Sequence, residues 1–141
     1  MPTFLLKTEP GTFSFADLVR EKKATWDGVA NAAALIHLRS MRHGDQAFIY
    51  HTGDERSIVG LASVVSSPYE DPKQPGQTPD GKPKFAVIDL KPLKPATSPL
   101  SLDSMKKDKR FAGFDLLRIS RLSVMPVPPA IDAAIRELTG L

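Results

Sequence analysis

Hydrophobic residues come in short runs, each stopped by polar, proline or glycine residues. Thr3-Phe4-Leu5-Leu6-Lys7-Thr8 is apolar at its start and polar at its end, and Pro10 closes it. It reads as a strand buried at its start. Ser14 is a helix cap, Asp17 adds negative charge to the first turn, and the helix runs through Leu18 and Val19 to about Lys22. A turn at Trp26–Val29 follows. Asn31 then caps a second helix reaching Met41, with Leu35, Leu38 and Met41 on one face. Arg39, Arg42 and His43 crowd its C-terminal end, where positive charge is favoured, and Gly44 stops it.

Ala47–His51 and Ile58–Val65 read as strands joined by the polar loop Thr52–Glu55. Gly60, mid-strand, marks a bulge or a close approach to the backbone. Residues 67–83, rich in Pro, Gly, Asp and Lys, form a long loop within one domain. Phe85–Leu90 is a further strand, with Pro92 and Pro95 expected to end it. Ser101 opens a short helical segment. Arg118–Val124 alternates polar and apolar and reads as the last strand. Pro128-Pro129 starts a closing helix with Ile131, Ile135 and Leu138 on its stripe and Gly140 at its end. The order β-α-α-β-β-β-α-β-α lacks the regular alternation of a doubly wound sheet. It predicts a mixed α+β fold: a curved mixed sheet or small barrel of about five strands with flanking helices. Only the first crossover has room for a parallel pair.

Composition narrows the classes. With 141 residues, 41% hydrophobic and 25% charged, the chain suits one globular domain. No apolar run approaches the ~18 residues of a membrane span, and Met1-Pro2-Thr3-Phe4 lacks the basic start, apolar centre and small-residue cleavage site expected of a signal peptide. The chain has no cysteine, which excludes disulfides, thiolate nucleophiles and cysteine metal sites. The expectation is a cytoplasmic bacterial protein, monomeric by default. A net charge of +3 and a pI near 9.3 are compatible with a nucleic-acid partner. His37, His43 and His51 lack ligand spacing on one element, so no metal site and no cofactor are expected.

One place concentrates chemistry. The sole tryptophan, Trp26, stands among Asp27, Gly28 and Asn31. A flat aromatic surface beside hydrogen-bonding groups suits a planar ligand such as a nucleobase. Against this, a tryptophan also seals a helix–sheet seam. Asp27 accepts from a base N–H or shapes a turn, and Asn31 complements a base edge or caps its helix.

These residues resemble a known family. Phe4–Pro10 with Lys7-Thr8-Glu9-Pro10, Trp26-Asp27-Gly28-Val29, Gly44-Asp45 before Phe48-Ile49-Tyr50-His51, Gly60-Leu61-Ala62, and Arg121-Leu122-Ser123-Val124 with Pro126-Val127 look like the EVE domain. The resemblance covers residue 3 to about 138. It implies a PUA-like fold related to PUA, ASCH and YTH domains, and a reader of modified bases in DNA or RNA. It favours a pocket at Lys7, Thr8 and Trp26. By their own chemistry Asp27, Asn31, Tyr50 and His51 are further candidates to line it, and Arg39, Arg42, Arg118 and Arg121 are candidate phosphate contacts. Ala30 stands where the family usually has arginine, and Leu35-Ile36 lie near its common Arg-Asn pair. The resemblance thus implies a site with part of its polar grip missing.

Structural roles compete at each position. Tyr50 suits a core, His51 a strand end, and the arginines a solvated surface, as does Lys106–Arg110. The expected function is a non-catalytic nucleic-acid-binding module. The alternatives are a pocket for a small nucleotide-like molecule, a protein-interaction module, or an enzyme using Asp27, Glu9 and His51. No nucleophile elbow, phosphate loop or metal-ligand set supports the enzyme.

Overall fold

The computed structural model describes residues 2–141. Strand β1 (Thr3–Thr8) lies inside the sheet, with β3 (Gln46–His51) parallel on one side and β7 (Val124–Val127) antiparallel on the other. Its first four residues are all buried, as the unbroken apolar run requires of a strand covered on both faces. β3 continues antiparallel to β4 (Ser57–Val64), and β4 to β6 (Ala86–Ser101). β2 (Ala24–Trp26) closes the order β2-β6-β4-β3-β1-β7, and the two-residue β5 (Tyr69–Glu70) pairs with β6. The result is a curled half-barrel in a mixed α+β fold. The parallel pair β1·β3 is the one the first crossover had room for.

Both early helices start as their caps dictate. The Ser14 hydroxyl accepts from the Asp17 N–H, and the Asp17 carboxylate accepts from the Ser14 N–H, a complete capping box on α1 (Phe15–Glu21). The Asn31 side chain accepts from the Ala34 N–H at 3.0 Å and opens α2 (Ala32–Ser40). Gly60 answers to both sequence readings. The strand register slips beside it, and a Cβ there would lie 2.5 Å from the ring of buried Phe15. Glycine is thus what lets α1 settle on the sheet.

Four expectations are corrected. Trp26 does not lie in a turn; it ends β2, opposite Ile88. Pro92 and Pro95 do not end β6. They fall beyond the reach of β2, where β6 has β4 alone as a long partner, and the ladder there is already irregular, conditions under which proline is tolerated. The last strand is Val124–Val127 rather than Arg118–Val124. Arg118 ends the short helix α4 (Asp115–Arg118), which follows α3 (Leu102–Lys106) and a 3-10 turn at Lys109–Phe111. On α5 (Pro129–Thr139) the buried stripe is Ile131, Ala134, Ile135 and Thr139, while Leu138 is exposed. β2 and β5 raise the strand count from about five to seven. No helix among the described residues is long and apolar enough to cross a membrane.

Candidate functional site

The ends of β1 and β2 open onto a cavity of about 440 Å³. β1 contributes Lys7 and Thr8, β2 contributes Thr25 and Trp26, and Asp27–Ala30 form the wall leading to α2. Thr12 and Phe13, ahead of α1, and Ser123, ahead of β7, complete it. The parts are far apart in sequence and are gathered by strand pairing. The Lys7 N–H donates to the Ser123 carbonyl at 2.9 Å, which ties the end of β1 to the chain entering β7. Gly28, with φ of +78°, turns the chain from β2 toward α2.

Trp26 is 8% exposed. It belongs to the core and lines the cavity at once. Phe13 meets it edge-on, with centroids 6.0 Å apart and planes at 80°. That geometry steadies the indole. The indole nitrogen is not sealed from solvent, and among the described residues it has no acceptor. Asp27 is exposed on the rim, and its carboxylate has no protein partner among the described residues. The Thr8 hydroxyl donates to the Phe13 carbonyl at 2.6 Å. Its proton is therefore used, and its oxygen is left to accept.

Lys7 stands between this cavity and a second one. Its Nζ donates to the Ser120 carbonyl at 2.9 Å and lies 6.0 Å from the centre of the Tyr50 ring. Burial lowers its pKa from the usual 10.5. The second cavity, about 230 Å³, is lined by Lys7, Tyr50, Thr52, Arg56 and Ser120, among others.

The other predicted site residues are placed elsewhere. Asn31 caps α2 through its side-chain oxygen and lines neither cavity. Tyr50 is 3% exposed and faces the second cavity only. His51 accepts from the Phe15 N–H through Nε2 at 3.0 Å, so its proton sits on Nδ1, 3.0 Å from Glu55 Oε2. Both ring nitrogens serve the fold, joining the start of α1 to the loop after β3. Glu9 accepts from the Gly11 N–H at 3.0 Å and from the Thr52 hydroxyl at 3.5 Å, again within the fold.

The arginines do not form one rim. Arg39 donates to the carbonyls of Pro83 and Lys84, and Arg42 to those of Arg39 and Met41. Arg118 holds Asp115 and the Gly113 carbonyl. Arg121 is exposed in the segment between Ser120 and Ser123, each of which lines one of the two cavities. Sequence reasoning missed Phe13, Thr25, Ser123 and Arg56. Only Phe13 carries a local signal, an apolar residue directly before a helix cap.

A half-barrel with a cavity at the ends of its first two strands defines a PUA-like domain. Its architecture is shared with an ASCH protein from Zymomonas mobilis, at a TM-score of 0.58 and 13% identity over 97% of this chain and 95% of that one. The chain belongs to the EVE domain family, whose model matches residues 3–138. A protein from Rhodopseudomonas palustris is similar at a TM-score of 0.88 and 34% identity, covering 99% of this chain and 94% of that one. Human thymocyte nuclear protein 1, solved in complex with DNA containing 5-methylcytosine, is similar at a TM-score of 0.88 and 26% identity, over 100% of this chain and 99% of that one. The rat protein of that name is 34% identical over 123 residues, 73% of this chain and 54% of the relative. The chain thus spans about half the length of that curated relative.

Proposed function

We propose that this chain is a non-catalytic reader of nucleic acid, whose cavity at Trp26 receives an unstacked, modified base. The observation that carries the reading is the junction of Lys7-Thr8 and Trp26-Asp27 around one cavity of about 440 Å³. A base extruded from a strand needs an aromatic surface to replace its stacking and polar groups to read its edge. Trp26 supplies the surface. Asp27 and the Thr8 oxygen both accept hydrogen bonds, which favours a base edge that donates, such as the exocyclic amine of cytosine or adenine. Val29 and Ala30 add apolar wall, where a methyl group gains roughly 0.8 kcal/mol from burial. The complex of human thymocyte nuclear protein 1 with 5-methylcytosine-containing DNA supports this class of ligand.

The test is a panel of modified and plain DNA and RNA oligonucleotides at low salt. Binding should favour a methylated cytosine or adenine over its plain form and weaken with salt, at a slope of about −0.7 to −0.9 per phosphate contact. Affinity for a free nucleoside with no preference for the oligonucleotide would point instead to a small-molecule pocket. No binding across the panel would end the proposal.

A further inference from the structure

The two cavities share Lys7 but differ in chemistry. The first is walled by aromatic and apolar groups with a few acceptors. The second gathers the cations Lys7 and Arg56 with Tyr50, Thr52 and Ser120. We infer that the second cavity seats a phosphate of the nucleotide whose base enters the first, with Arg56 as its principal contact. The inference rests on the base-binding reading proposed above.

Arg56 is distinguished by what it does not do. Arg20, Arg110, Arg118 and Arg136 are held by carboxylates, and Arg39 and Arg42 by backbone carbonyls. Among the described residues, the Arg56 guanidinium has no such partner. Arg121 is similarly unengaged, but it lines neither cavity. The Arg56 backbone, by contrast, is fixed. Its carbonyl accepts from the Leu102 N–H at 2.8 Å, and its φ of +42° lies in the left-handed region that non-glycine residues seldom adopt. A free guanidinium is thus presented from an anchored backbone. Such a group suits a phosphate, which it can bind through two parallel N–H donors.

The neighbours fit the same ligand. Lys7 forms the wall between the cavities, so its charge is available to a group spanning them. Tyr50 faces the second cavity with its hydroxyl protonated: burial raises its pKa, Arg56 opposes the rise and Asp103 adds to it. It donates rather than repels. Asp103 is exposed on α3 and is the one acidic group felt at Tyr50.

The experiment compares 5-methyl-2′-deoxycytidine with its 5′- and 3′-monophosphates by calorimetric titration. Wild-type protein and Arg56→Gln are used, each checked by urea melt. In wild type, one monophosphate should bind roughly tenfold tighter than the nucleoside, as a charge-assisted contact implies. In Arg56→Gln that advantage should fall to about threefold or less, with nucleoside affinity unchanged. Equal binding of nucleoside and monophosphates by wild type would overturn the phosphate seat and leave the base reading standing. So would an Arg56→Gln variant that keeps the full advantage. Inorganic phosphate binding as tightly as the monophosphate would also overturn it, since the site would then take a free anion. Failure of every nucleoside and nucleotide to bind would remove the base reading and this inference together.

Discussion

Replacing Trp26 tests the site and the core together, because the residue serves both. At 8% exposure with an edge-on contact to Phe13, its truncation to alanine removes a large buried aromatic. That class of change costs about 3–5 kcal/mol. Against a total stability of roughly 5–15 kcal/mol, Trp26→Ala should remain folded in the cold but melt about 10–15 °C lower, at ~3 °C per kcal/mol for a chain of this size. The stacking term is separate. Loss of a base–aromatic contact worth roughly 1–3 kcal/mol weakens binding about 5- to 150-fold.

The two losses are separated by measuring each on its own axis. Far-UV dichroism in urea gives stability. Titration with methylated and plain oligonucleotides, at a temperature where the variant is fully folded, gives affinity and selectivity. Since the chain has a single tryptophan, wild-type emission reports this cavity alone. Ligand binding should quench it. The reasoning fails if folded Trp26→Ala keeps the wild-type ratio between methylated and plain oligonucleotides, or if saturating ligand leaves wild-type emission unchanged.

Two further perturbations have definite signs. Gly60→Ala places a methyl group 2.5 Å from the Phe15 ring and should destabilise by about 1–3 kcal/mol, read by urea melt; an unchanged midpoint would show that α1 shifts freely. Lys7 must be protonated to hold an anion, and burial lowers its pKa below 10.5. Oligonucleotide affinity should therefore start to fall at a lower pH than a free lysine would dictate. Lys7→Arg, charged throughout this range, should abolish that fall; a pH profile that persists in Lys7→Arg would assign it to another group.

What was legible in the sequence was what is decided locally. The caps at Ser14 and Asn31, the apolar run of β1 and the crowded glycine at position 60 are each explained within a few residues or one close contact. β2 was not legible. Three residues carry no usable alternation, and they become a strand only by pairing with Ile88–Leu90, some sixty positions away. β6 was cut short for the opposite reason. Its prolines are local stop signals, and the partner strand that outweighs them is not local. The site divides the same way. Trp26 and Asp27 stand out by residue type and neighbours, and Lys7 and Thr8 through the family resemblance. Ser123 is tied to the cavity by a backbone bond from Lys7, and Arg56 enters the phosphate-seat inference because, among the described residues, its side chain has no partner. His51 was weighed as a ligand donor and as a hydrogen-bonded strand-end residue; its Nε2 accepts from the Phe15 N–H at the start of α1 and its Nδ1 faces Glu55 in the loop after β3.

A floor that is also core cannot be altered without loss of stability, so retuning of such a site belongs at its rim. Ala30 is the informative rim position. It is exposed, it lines the cavity, and it stands where the family resemblance leads one to expect an arginine. A guanidinium there has solvent on one side and no core to disturb. Ala30→Arg should therefore leave stability within about 0.5 kcal/mol. If it reaches a phosphate, affinity should rise and the salt slope should steepen by about 0.7–0.9, one added contact. Selectivity for the methylated base should stay as it was, because phosphate contacts position a ligand without reading its base. Gain of affinity with an unchanged slope would mean that the new side chain touches the base edge instead. No gain at all would mean that nucleic acid does not pass over this wall, and the placement of the base against Trp26 would have to be abandoned.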